Sequence, residues 1–211
     1  MLYYLCEMEL EHSHDPLIPV YLDSPMAQEA TRIYKQYPHL YDAETSEHLR
    51  RGENPLMPRS LHTVLDVAQS KKLNNMEGPA VIISSSGMAS GGRVIHHLFH
   101  RLPHEENTVL FVGYQAQGTL GRQLVEGAHS VRIMGQDVPV RARVSSIQSL
   151  SAHADADGIL EWLRGFKKPP KQTFIVHGEP EAQDALQQRV QRELGWPTTV
   201  PDLGDEVNLV E

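Results

Sequence analysis

A single cysteine, Cys6, stands in a chain of 211 residues. It excludes an intrachain disulfide and any zinc site built from a cysteine cluster, and it fits a reducing compartment. No apolar run approaches the roughly 20 residues that cross a bilayer, and the start lacks the basic, apolar, small-residue order of a secretory signal. A soluble, cytoplasmic protein with no membrane partner is therefore expected. Positive charge is scarce: 19 Lys and Arg stand against 27 Asp and Glu, for a net charge of −8. That balance weighs against nonspecific nucleic-acid binding, which relies on a basic footprint, unless arginines gather locally. Arg93, Arg122, Arg132, Arg141 and Arg143 are the candidates, whereas Arg164, Lys167, Lys168 and Lys171 read as a solvated helix end and turn. Hydrophobic content of 40% is enough for a core, in one large or two small domains.

The chain repeats a strand, a turn of small residues and a helix. Residues 18–22 read as a buried strand, followed by Ser24 as N-cap and Pro25 as first residue of a helix with Met26, Ala30, Ile33 and Tyr34 on one face. Residues 80–84 and 108–113 repeat the strand pattern, each followed by a glycine-bearing turn and a helix, over 93–102 and up to 124. Such alternation predicts a mostly parallel sheet with helices on both faces and its turns along one edge. Residues 131–144 read as a hairpin turning at Gly135-Gln136-Asp137, with Arg132, Arg141 and Arg143 outward. A helix over 1–10 offers Leu2, Tyr3, Leu5 and Met8 to a core. Between these elements lie a short exposed helix at 44–51, a strand at 61–67 and a helical turn at 68–73; residues 207–210 offer a last strand beside 174–176.

A loop of small residues at a helix start presents backbone N–H groups at the positive end of the dipole and can hold a phosphate. Ser86-Gly87-Met88-Ala89-Ser90-Gly91-Gly92-Arg93 has that form but neither common nucleotide fingerprint, which counts against a phosphate-ligand enzyme on a Rossmann-like sheet. By composition alone, a tight turn and an anion site are equally good readings. His96 and His100 are spaced like a zinc-binding pair but have no third ligand in pattern, so His96, His97, His100 and His104 are expected on a polar surface. Glu11-His12-Ser13-His14-Asp15-Pro16 reads as a polar linker. Asp23, at a strand end, shapes a turn or meets a ligand.

Two histidines stand out by their frames. Residues 138–147 alternate like a strand, and Ser151-Ala152-His153-Ala154-Asp155 follows, with Asp155 as N-cap ahead of Ile159, Leu160, Trp162 and Leu163. Phe174-Ile175-Val176 is a short strand run, His177-Gly178 turns out of it, and Glu179-Pro180 opens a helix striped with Ala182, Leu186, Val190 and Leu194 up to Gly195. Histidine suits zinc ligation and proton movement near neutral pH. Taken singly, each histidine is more often a hydrogen-bonding residue than a ligand.

Ser151-Ala152-His153-Ala154-Asp155 and Val176-His177-Gly178-Glu179 resemble the B and C motifs of the beta-CASP branch of the metallo-β-lactamase superfamily, which includes the pre-mRNA 3′-end processing endonuclease. Tyr21-Leu22-Asp23-Ser24-Pro25-Met26-Ala27, the Ser86–Arg93 string and Val112-Gly113-Tyr114-Gln115-Ala116-Gln117-Gly118-Thr119-Leu120 extend the resemblance in the family's order. It implies a Rossmann-like, mostly parallel α/β sheet in a beta-CASP domain over 1–149, amino-terminally incomplete. Residues 150–211 would be the carboxy-terminal segment of a metallo-β-lactamase fold. The implied activity is two-zinc hydrolysis of RNA phosphodiester bonds, with His177 as zinc ligand and His153 beside the scissile phosphate. Ser86, Gly87, Gly91, Gly92, Arg93 and Ser151 would hold RNA. The family's His-x-His-x-Asp-His cluster does not occur in this sequence. Zinc is therefore not expected to be held tightly by this chain alone, and the missing metallo-β-lactamase half is expected in cis or in trans, with homodimerisation left open. A noncatalytic RNA- or protein-binding module derived from such a nuclease is the alternative.

Overall fold

A computed structural model of the chain describes residues 1–208 and divides into two compact units, Met1–Ser149 and Leu150–Glu211. In the first, β1 (Val20–Asp23) lies between β2 (Leu61–Thr63) and β3 (Val81–Ser84), parallel to both, with Val20 opposite Leu61 and Val81. As the central strand, β1 is the buried one: Val20, Leu22 and Asp23 are shielded, whereas β3 is half-buried throughout. Helix α1 (Leu2–Glu11) precedes this sheet and buries Cys6, whose thiol pKa is pushed up to about 11 chiefly by that burial. Met8 of α1 is exposed, contrary to expectation.

Helix α2 (Pro25–Tyr34) begins where Pro25 and Ser24 said it would, with Ser24 Oγ accepting from the Ala27 amide at 3.2 Å. Its expected apolar face is corrected. Met26, Ile33 and Tyr34 are exposed, while Ala27, Gln28 and Thr31 turn inward. Gln28 Nε2 donates to the Leu22 and Val64 carbonyls at 2.9 Å, so a polar side chain attaches this helix to the sheet. Helix α3 (Ala43–Arg50) is short and caps on Asp42; α4 (Val67–Asn74) caps on Asp66.

Helix α5 (Arg93–Arg101) follows β3, and β4 (Thr108–Val112) pairs in parallel with β7 (Arg143–Ile147) as a second, two-stranded sheet. Between them lie α6 (Leu120–Val125) and the antiparallel β5 (Ser130–Ile133) and β6 (Gln136–Pro139), turning at Met134-Gly135. The hairpin is thus shorter than its alternation suggested. Past Val140 the ladder breaks because the Arg141 and Ala142 amides donate to Leu102 O, at 2.8 and 3.0 Å, closing the end of α5. Arg143 then opens a new strand. Leu98, Leu102, Phe111, Leu124, Val131, Ile133 and Val138 form the core, each large side chain contributing roughly 1.5–3 kcal/mol on burial.

In the second unit, α7 (Ala156–Arg164) and α8 (Pro180–Leu194) pack Leu160, Leu163 and Val190 with Trp196. Trp162, on the same helix, is 67% exposed. Strand β8 is only Thr173–Phe174 and pairs in parallel with β9 (Thr198–Thr199), whereas the neighbouring strand was expected at 207–210. Val207 and Asn208 lie outside any strand, and residues 209–211 fall outside the described residues. Among the described residues no helix is long and apolar enough to cross a membrane.

Candidate functional site

The loop between β3 and α5 is built on Asp23, a carboxylate with no exposure at all. Its Oδ1 accepts from Arg93 Nη1 at 2.6 Å, and its Oδ2 accepts from Ser70 Oγ at 2.6 Å and lies 2.6 Å from His97 Nε2. Arg93 Nη1 also donates to Val64 O at 3.1 Å, and His97 Nδ1 lies 2.8 Å from Asn74 Oδ1. Burial alone would raise the Asp23 pKa. The hydrogen bonds from Ser70, His97 and Arg93 outweigh it and hold the carboxyl below its usual range. Burial is the larger influence on His97, whose pKa is lowered despite the carboxylate beside it.

His97 is therefore a buried partner of Asp23, not the surface histidine expected from sequence. Arg93 and His97 are one helical turn apart and share a face, a signal present in the sequence but empty until Asp23 is placed opposite. His96 and His100 do lie exposed.

The loop itself turns back on its own chain. Ser86 N donates to Gly91 O at 3.4 Å, Ala89 N to Ser86 O at 3.1 Å and Ser90 N to Ser86 Oγ at 3.2 Å. Gly92 has φ +78°, and a Cβ there would come within 2.8 Å of Ser85 O; only glycine fits. On the neighbouring side, Gln115 Nε2 donates to Gly87 O at 3.1 Å and Gly121 N donates to Met88 O at 3.0 Å. In sequence Gln115 is one residue of the Val112–Leu120 motif; in the fold its buried amide joins the turns after β3 and β4. Gly87 and Gly92 stay exposed, Ser86 and Gly91 half-buried.

Of the five arginines expected to supply a basic channel, Arg93 is paired with Asp23, Arg122 with Glu126 and Arg132 with Asp137. Arg141 and Arg143 are exposed.

In the second unit, Ser151 and His153 sit together on an exposed turn, the His153 amide donating to Ser151 Oγ at 3.2 Å. Asp155 caps α7, its Oδ1 accepting from Gly158 N at 2.8 Å. His177 is exposed and holds φ +68°, a left-handed conformation uncommon for a residue with a side chain, followed by Gly178 at φ +136°. Such a departure is a pointer to function, since the surrounding chain must maintain it. Val176, read as buried, is 64% exposed.

Zinc needs several donors. Among the described residues no three His, Cys, Asp or Glu side chains gather to hold a metal ion. His177 offers one imidazole, so the donors present do not by themselves fit a zinc ion.

A parallel α/β unit with small-residue loops at its strand ends, followed by a small unit presenting histidines on turns, defines a protein whose working surface lies on loops. The chain belongs to the beta-CASP family of the metallo-β-lactamase superfamily: residues 1–124 match the Beta-Casp domain, and residues 137–201 match the Zn-dependent metallo-hydrolase RNA specificity domain. A ribonuclease of Thermus thermophilus is 41% identical over 176 residues, covering 83% of this chain and 40% of its own length. The transcription termination factor FttA of Pyrococcus horikoshii is 31% identical over 198 residues, 91% of this chain and 30% of its own. An RNase J-like protein of Methanocaldococcus jannaschii is 30% identical over 187 residues, 89% and 42%. The chain thus spans less than half the length of these relatives.

Proposed function

We propose that this chain is the RNA-holding, carboxy-terminal part of a zinc-dependent ribonuclease that hydrolyses phosphodiester bonds in the cytoplasm. Residues 1–149 form its beta-CASP part and residues 150–211 the closing segment of its metallo-β-lactamase part. The observation that carries this reading is the Ser86–Arg93 loop. It is held in shape before any ligand arrives, and it leaves glycine backbone in solvent at a helix start, where a phosphate is favoured. The match of residues 137–201 to an RNA specificity domain supports RNA as the ligand.

Ser86, Gly87, Gly91 and Gly92 then meet the RNA backbone without reading its sequence, while Arg93, its charge met by Asp23, anchors the loop's exit beside them. Ser151 and His153 face the scissile phosphate, where His153 stabilises charge or moves a proton. His177 is a zinc ligand, and the further donors come from outside residues 1–211, in cis or in trans. In the complete enzyme, a zinc ion held by His177 and those further donors would supply an activated water and charge stabilisation at the attacked phosphate.

The incomplete donor set favours a second reading, a noncatalytic module that grips RNA or a protein through the same loops. Zinc stoichiometry and RNA cleavage, measured for this chain and for a version joined to an upstream metallo-β-lactamase half, separate the two. Tight zinc and cleavage in the joined protein alone support the nuclease. Absence of zinc and cleavage from both proteins, with RNA or protein binding retained, leaves the module.

A further inference from the structure

Two consecutive residues at the end of β1 hold both feet of the glycine loop. At its entry, Ser24 Oγ lies 2.6 Å from Ser85 Oγ; at its exit, Asp23 Oδ1 accepts from Arg93 Nη1 at 2.6 Å. Asp23 and Ser24 are 0% and 2% exposed, so the β1 side of each bond is shielded from water. Gly92 brings entry and exit together against Ser85 O, while Gln115 and Gly121 take the Gly87 and Met88 carbonyls on one side. Gly87, Met88 and Ser90 nevertheless stay in solvent. A loop tied at both feet with its crest exposed loses little conformational entropy when a ligand arrives.

We propose that Asp23 and Ser24 are positioning residues: from the end of β1 they clasp the loop and fix its crest in the arrangement that receives an RNA phosphate, without themselves touching RNA. This rests on the reading of the loop as an RNA contact. The Asp23 carboxylate divides the two roles open to it. Its Oδ1 faces Arg93 and the loop, whereas its Oδ2 faces Ser70 of α4 and His97 of α5 and holds the body of the unit. Ser70 Oγ and Ser85 Oγ each make one hydrogen bond of 2.6 Å to this pair, but only Ser85 ties the loop. Ser85→Ala also leaves intact the cap that Ser24 makes on Ala27.

The test compares Ser85→Ala, Ser85→Thr and Ser70→Ala in the full 211-residue chain. Three quantities are read for each: affinity for a labelled single-stranded oligoribonucleotide, amide hydrogen exchange over residues 86–92 in the free protein, and the urea midpoint. Ser85→Ala should lower affinity about 5- to 10-fold, the loss of roughly one hydrogen bond's worth of preorganisation, and speed exchange in the loop. Ser85→Thr, which restores the hydroxyl, should recover most of the affinity. Ser70→Ala should lower the urea midpoint at least as much while leaving affinity within about twofold. Equal affinity losses in Ser85→Ala and Ser70→Ala, tracking stability, would overturn the positioning role. So would a loosened loop with unchanged affinity. A wild-type chain that binds no oligoribonucleotide removes the RNA reading and this role with it, and is recognisable because exchange still separates the two alanine variants.

Discussion

Asp23 Oδ2 and His97 Nε2 lie 2.6 Å apart, on residues 74 positions apart in the chain, with side chains 0% and 7% exposed. Removing the carboxylate strips Arg93 of its counter-charge, leaving it Val64 O alone, and leaves His97 Nε2 in a buried site without its partner. Asp23→Ala is expected to cost about 3–5 kcal/mol, the range for breaking one partner of a buried charged pair. Urea unfolding against wild type measures it, and a loss under about 1 kcal/mol would show the group to be peripheral.

Acidification should weaken the fold through both members of this pair. The folded-state pKa of His97 is lowered, so its stability contribution is whole above the unfolded value of about 6.5 and declines as pH falls towards the folded value, the unfolded chain taking its proton first. Asp23 is also lowered; its contribution is present above about 3.9 and is lost as pH falls through the folded value. Urea midpoints of wild type and His97→Gln between pH 7 and pH 5 check the first window. The variant's profile should be the flatter there, and parallel profiles would contradict the assignment.

Gly121 lies against the end of the Gln115 side chain: a Cβ would fall 1.8 Å from Gln115 Oε1 and 3.0 Å from Met88 O. Gly121→Ala should therefore destabilise by about 1–3 kcal/mol through overpacking. Gln115→Ala should itself destabilise by freeing Gly87 O, yet the double variant should be less damaged than the sum of the two, because the clash goes with the amide. Strict additivity in thermal or urea unfolding would mean that the turns after β3 and β4 are not joined there.

At His177, backbone and side chain pull in opposite directions. Its φ of +68° costs about 1 kcal/mol for a residue with a Cβ, so His177→Gly should raise stability by up to that amount. In a protein carrying the complete metal-donor set, the same substitution should lower zinc content and cleavage, whereas His153→Ala should impair cleavage with most zinc retained. Metal analysis and RNA cleavage of both variants decide this; unchanged activity in both would withdraw the assigned roles.

Much of the local structure was legible in sequence. Ser24-Pro25 and Asp155 start helices because a capping side chain acts within three residues of itself. Gly195 ends α8 in the left-handed conformation by the same local logic. The apolar face assigned to α2 was misread because periodicity identifies a stripe, not what covers it; Gln28 faces the sheet instead. The long hairpin was misread because the amides that end it find their acceptor at Leu102, far away in sequence.

The caps, the strand-and-helix alternation and the ordered motifs that mark the family are written in the chain, since each depends on neighbours a few positions away or on their order alone. The gathering of Ser70, Arg93 and His97 at Asp23, the meeting of Ser24 with Ser85 and the bond from Gln115 to the loop of Gly87 arise with the folded arrangement. Those groups are brought together by burial and parallel strand pairing, and no local pattern encodes which buried donor will find which acceptor.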